Sequence, residues 1–168
     1  MTYSIQPPAV MLFILIGVAA VVVLSLFLKK GEWKKKLFSL GITVVVIGVL
    51  IFVFQKPVTM TVSDQGVTYS RNKTTEIPWN TVDRMFIVED YMNSPYRARL
   101  KTNGTAVGEY RTGWFKLENG DTAKLLMEQD ETGLVLVTGG TVHILGPDDF
   151  KTFIDGLREY LPSDLSLE

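Results

Sequence analysis

Two unbroken apolar runs near the N-terminus constrain this chain more than any other feature. Residues 9–28 carry no charge over twenty positions, and residues 37–54 repeat the pattern over eighteen. At about 1.5 Å per residue, helices of these lengths measure roughly 30 and 27 Å, close to the hydrocarbon core of a bilayer. Both runs are expected to be transmembrane helices forming a hairpin; a pair of buried core helices is the competing reading. Gly17 with Ala20, and Gly41 with Gly48, place small residues at helical spacing. Such faces let helices approach closely, although glycine is also tolerated in lipid without any such role.

The segment between the runs, residues 29–36, holds Lys29, Lys30, Lys34, Lys35 and Lys36 around Trp33. These six residues are the expected membrane-interface anchors, with the tryptophan at headgroup level and the lysines in the cytoplasm by the positive-inside rule. Both termini and everything after residue 56 then lie outside the cytoplasmic membrane. Met1 to Pro8 has no Lys or Arg ahead of the first run, so an uncleaved anchor is expected rather than a signal peptide. The division is a membrane anchor over 1–56 and one domain over 57–168.

Charge is segregated along the chain. Residues 57–168 contain 11 Lys/Arg against 17 Asp/Glu, a net charge of −6. Nucleic-acid phosphates would repel such a domain, and no basic stripe with interleaved aromatics occurs. The chain has no cysteine and one histidine, His143. Disulfides, thiolate nucleophiles, iron–sulfur ligation and sites with several His or Cys ligands are excluded on composition. No G-x-S-x-G elbow, Walker loop, H-E-x-x-H element or D-x-D-x-D-G loop is present, so no catalytic residue, metal or cofactor is expected.

From Val58 onward, short apolar stretches alternate with turn dipeptides. Asn103-Gly104, Asn119-Gly120 and Gly139-Gly140 supply the positive φ that tight hairpins require, and Asp64-Gln65-Gly66 turns Val58–Val62 back into Val67–Tyr69. Ile77 to Val88 reads as a further extended run, and Leu134–Val137 with Val142–Leu145 as the last strand pair. About seven strands are expected. The period then changes: Pro147, Asp148 and Asp149 open a helix over 148–161 whose apolar face is Phe150, Phe153, Ile154, Leu157 and Leu161, with Pro162 as its stop.

The run Gly108-Glu109-Tyr110-Arg111-Thr112-Gly113-Trp114-Phe115-Lys116-Leu117, then Asn119-Gly120, then Gly146-Pro147-Asp148-Asp149-Phe150, resembles the bacterial pleckstrin-homology-like domains over roughly Val58 to Leu161. The resemblance implies a bent antiparallel sheet closed at one end by a C-terminal helix, set behind membrane helices. Eukaryotic pleckstrin-homology domains grip phosphoinositides with Lys and Arg in the first hairpin loop. Here that loop is Ser63-Asp64-Gln65-Gly66, so phosphoinositide binding is not expected and the shape transfers without the ligand.

Arg97, Arg99 and Lys101 alternate and are expected to share one strand face, offering either a cationic strip or a merely solvated one. Tyr91, Met92 and Tyr96 stand in a loop-like stretch ahead of them. Together these six residues form the candidate binding surface, with loop packing against the sheet as the competing reading. Tyr110, Trp114 and Phe115 are assigned to core beneath the C-terminal helix. His143 lies between Val142 and Ile144 and is expected to point to solvent. The pairs Glu89-Asp90, Asp130-Glu131 and Asp148-Asp149 read as turn and cap chemistry.

The function expected is a membrane-anchored interaction or sensing module for a protein, peptide or envelope component. A structural subunit of a homo-oligomeric membrane assembly is the first alternative, and an acid-dependent hydrolase the second.

Overall fold

The computed structural model describes all residues except 29–32, 55, 72, 164 and 168; the side chains of 26–28, 34–36 and 54 also lie outside the described set. The chain divides into two compact units, Met1–Gln6 with Pro57–Glu168, and Pro7–Lys56.

The smaller unit is helix α1 (Ala9–Leu28) packed against helix α2 (Trp33–Phe54). Thr43 is accommodated in α2 because its hydroxyl donates to the Ser39 carbonyl one turn back, at 2.9 Å. Among the described residues no helix is long and apolar enough to cross a membrane. The two-span anchor and the multi-pass placement in the cytoplasmic membrane, with an extracytoplasmic domain, are corrected accordingly. Lys29 and Lys30 lie outside the described residues, as do the side chains of Lys34, Lys35 and Lys36; Trp33 opens α2 with its ring exposed.

The larger unit has ten strands in two sheets. In the first, β1 (Thr2–Ile5), β2 (Val58–Ser63), β3 (Gly66–Ser70) and β4 (Thr74–Pro78) lie side by side in that order. The second contains β5 (Arg84–Val88), β6 (Ala98–Val107), β7 (Tyr110–Leu117), β8 (Thr122–Met127), β9 (Gly133–Thr138) and β10 (Thr141–Gly146), ordered β5-β9-β10-β8-β7-β6. All neighbours are antiparallel except β8 and β10.

The count exceeds the expected seven for identifiable reasons. β1 comes from ahead of the first apolar run and pairs antiparallel with β2, putting Ile5 opposite Val58 in the core. The run expected over Ile77 to Val88 breaks at the 3₁₀ turn Trp79–Thr81, where the chain passes from the first sheet to the second. Asn103-Gly104 is not a turn: it lies inside β6, and the reversal falls at Gly108, with φ +59. The other expected turns are in place, with Gly139 and Gly140 at φ +52 and +78 between β9 and β10.

Strand alternation in the second sheet separates two cores. Met85, Leu126, Leu134, Leu136 and Leu145 face the first sheet and helix α3 (Phe150–Tyr160), joining Met60, Val62 and Phe153. Their neighbours Leu125, Met127, Val135 and Ile144 point the opposite way, into a second cluster around Tyr91 and Phe115. Strands β8, β9 and β10 therefore carry apolar residues on both faces, as expected for strands covered on both sides.

Helix α3 is capped by Asp149, whose carboxylate accepts from the Thr152 N–H at 3.2 Å, and it buries Phe153, Ile154 and Leu157. Asp149 is thus the cap that the acidic pair was expected to supply, and the helix starts one residue after it, at Phe150. Glu128 ties neighbouring elements together, accepting from the backbone N–H of Gln6 beyond β1 and of Asp148 before α3. Burial raises its carboxyl above the usual range, opposed by those two hydrogen bonds.

Candidate functional site

The six residues expected to form a binding surface are divided by the fold. The link from β5 to β6 must travel from one edge of the second sheet to the other, and it crosses the face that carries the second core. Tyr91 anchors that crossing and is fully buried. Its N–H donates to the Glu131 carbonyl at 2.9 Å, and its hydroxyl accepts from the Ala98 N–H at 2.8 Å. Burial pushes its phenol up to about 12. Tyr96 is half-buried with its ring 5.1 Å from that of Phe86. Met92 is exposed.

Arg97, Arg99 and Lys101 are exposed along the outer border of the second sheet. Arg97 precedes β6, and two β-bulges interrupt the alternation within the strand. Arg99 is the extra residue of the first bulge, whereas Leu100 stands opposite Lys116 and Lys101 opposite Phe115. Leu100 and Lys101 therefore project to different faces, and the three cations edge the strand rather than line one side of it. β6 ends the strand order, leaving its outer edge without a neighbouring strand among the described residues. Leu100 is 61% exposed at its midst.

Next to this edge is a cavity of about 210 Å³ between the two sheets. Tyr69 of β3, Lys124 of β8 and Trp114 of β7 form its walls, Asn103 and Gly104 of β6 border it, and Arg71 and Lys73 approach from the link between β3 and β4. The Lys124 ammonium lies 4.7 Å from the centre of the Tyr69 ring and 5.9 Å from that of Trp114, and donates to the Thr75 hydroxyl at 2.9 Å. Burial, with Lys73 adding to it, holds Lys124 below the usual lysine range. Thr112 also lines the cavity; it is 5% exposed and its hydroxyl has no hydrogen-bond partner among the described residues.

His143 is buried rather than turned to solvent, with Nδ1 sharing a 2.9 Å hydrogen bond with the Tyr69 hydroxyl. Alternation does point it away from Val142 and Ile144, but that direction leads into the other core. Burial, helped by Lys124, depresses the imidazole from 6.5 to about 4. Between these two pH values the unfolded chain binds a proton that the folded chain rejects, so stability is complete above pH 6.5 and falls as pH drops toward 4. The loss expected from this residue is on the order of 3 kcal/mol. Urea titrations across that range should show a wild-type slope that His143→Gln flattens; equal slopes would remove the histidine from the account.

Trp114 is 37% exposed at the cavity, whereas Tyr110 and Phe115 are buried in different cores. Neither the cavity nor the crossing at Tyr91 was signalled by sequence: the cavity's cations are dispersed along the chain, and no local motif joins Tyr69, Thr112 and Lys124. Of the acidic pairs, Asp130 forms an ion pair with Arg111, and Asp90 caps the 3₁₀ turn Tyr91–Asn93. No three His, Asp or Glu side chains gather as a metal site among the described residues.

The mainly-β, two-sheet architecture is consistent with a PH-like fold. The family model described as bacterial PH domain matches residues 59–161. No curated protein and no solved structure matches the chain.

Proposed function

The chain belongs to the bacterial PH domain family, and from that premise we propose that its β-unit is an interaction module docking an extended acidic segment of a partner protein along β6. PH-like domains typically act as interaction modules rather than catalysts. The observation that carries the reading is the edge itself: ten residues of strand, terminal in its sheet, exposed almost throughout. An incoming strand would take hydrogen bonds from its backbone, while side chains on alternate positions supply selectivity.

Arg97, Arg99 and Lys101 give the edge local positive charge on a unit that is acidic overall. An acidic segment is favoured by complementarity, and a second copy of this acidic unit is disfavoured. The bulges and charges serve the same end, because they frustrate the flat edge-to-edge pairing that leads to aggregation.

The test is fluorescence anisotropy on the full chain with a labelled peptide alternating Glu with Val, matched to β6 in length. Charge reversal by Arg99→Glu with Lys101→Glu should weaken binding by about tenfold or more, and a peptide alternating Gln with Val should bind the unaltered protein correspondingly less well. Binding indifferent to both changes would refute charge-selected docking at this edge.

A further inference from the structure

We propose that the cavity between β3, β7 and β8 is a binding site for a small dianionic oxyanion carried on an apolar body, a phosphate monoester being the simplest representative. The reading does not depend on docking along β6.

The unit as a whole has an excess of carboxylates, yet three of its cationic residues, Arg71, Lys73 and Lys124, line this one cavity and no Asp or Glu among the described residues does. Lys124 is the central group. It lies between two aromatic rings and has one hydrogen bond to Thr75, so its remaining N–H donors can turn toward an anion. Lys73 acts on Lys124 as a like charge, an unfavourable juxtaposition that a bound anion would relieve. Thr112, more than nine-tenths buried in the wall behind the cavity, has a hydroxyl with no partner among the described residues, a group that normally finds one.

Charge and size narrow the ligand. A phosphate monoester carries about −1.5 to −2 at neutral pH, a closer match to a cavity lined by several cationic residues than a carboxylate's single charge. The volume, about 210 Å³, is below the roughly 300 Å³ at which drug-sized pockets begin, so a headgroup-sized ligand suits it. Trp114, Val58 and Leu126 supply the apolar wall for its organic part. The site is also remote from the Asp64-Gln65 turn: it adjoins the far end of the β2–β3 hairpin, where Thr59 pairs with Ser70.

Calorimetric titration of the full chain with phenyl phosphate, benzoate and inorganic phosphate tests the proposal. Phenyl phosphate should bind saturably and more tightly than either of the others. Lys124→Met should weaken it by about tenfold or more, as should Lys73→Met at its exposed position, while Lys116→Met, outside the cavity, should leave it unchanged. Circular dichroism checks that each variant is folded, and Lys73→Met decides the matter if Lys124→Met does not fold. Absence of saturable phenyl phosphate binding, tighter binding of benzoate, or affinity unaltered in folded Lys73→Met would each overturn the assignment.

Discussion

Gly113→Ala is expected to lower the free energy of unfolding by roughly 3–5 kcal/mol, because a single methyl group at this position has nowhere to go. Gly113 of β7 and Gly104 of β6 stand directly opposite each other, with φ +120 and +143. A Cβ on Gly113 would fall 2.3 Å from the Asn103 carbonyl oxygen and 2.6 Å from the Gly104 Cα. Both are backbone atoms, so relief requires the β6–β7 ladder to separate rather than a side chain to rotate. Two costs therefore add: a backbone conformation that a side chain disfavours, and overlap with a strand that cannot withdraw. Gly120→Ala separates them, since Gly120 has φ +90 but no neighbouring atom within 4 Å of the place its methyl group would take. Its cost should be about 1–2 kcal/mol, from conformation alone. Urea denaturation followed by circular dichroism compares the two. Equal losses would mean that the close strand approach does not hold in solution. The consequence reaches the candidate sites, because this ladder holds the docking edge on one side and a wall of the cavity on the other.

The same glycine pair shows where sequence reasoning stops. Asn-Gly is a strong hairpin signature, and at Asn119-Gly120 it marks a real reversal between β7 and β8. At Asn103-Gly104 the glycine answers to the strand opposite, a relationship that no local pattern contains. His143 illustrates the limit of alternation. A period of two says that neighbouring side chains point apart, but it names a solvent face only when one side of the sheet is wet. Here the middle of the second sheet, where β10 lies, is covered on both faces, so the residue pointing opposite to Val142 and Ile144 enters another core. Helix α3 was legible because its apolar face, its acidic start and Pro162 all lie within one short segment. The β1 strand was not, since its partner is separated from it by both apolar runs. Those runs invited a bilayer reading on hydropathy and length, whereas among the described residues no helix is long and apolar enough to cross a membrane.

Tyr91 offers the clearest test of how the second core supports the candidate edge. Its ring fills the centre of that core, and its hydroxyl accepts the N–H of Ala98, the first residue of β6. Replacing it by alanine removes an aromatic ring from a site with no exposure and leaves a strand N–H without its acceptor. The expected loss is roughly 3–5 kcal/mol, measured by urea denaturation. Tyr91→Phe keeps the ring and removes only the acceptor, so about 1–2 kcal/mol should be lost. The milder variant carries the sharper information: amide exchange at Ala98 should accelerate while amides in β9 and β10 keep their protection, because the damage is confined to the start of one edge strand. If alanine and phenylalanine cost the same, the ring contributes little and Tyr91 acts only through its hydroxyl. If exchange at Ala98 is unchanged in the phenylalanine variant, the hydrogen bond that joins the crossing to β6 is absent in solution. In the expected case, a residue that looked like part of an exposed recognition loop instead positions, from beneath, the strand that carries Arg99 and Lys101.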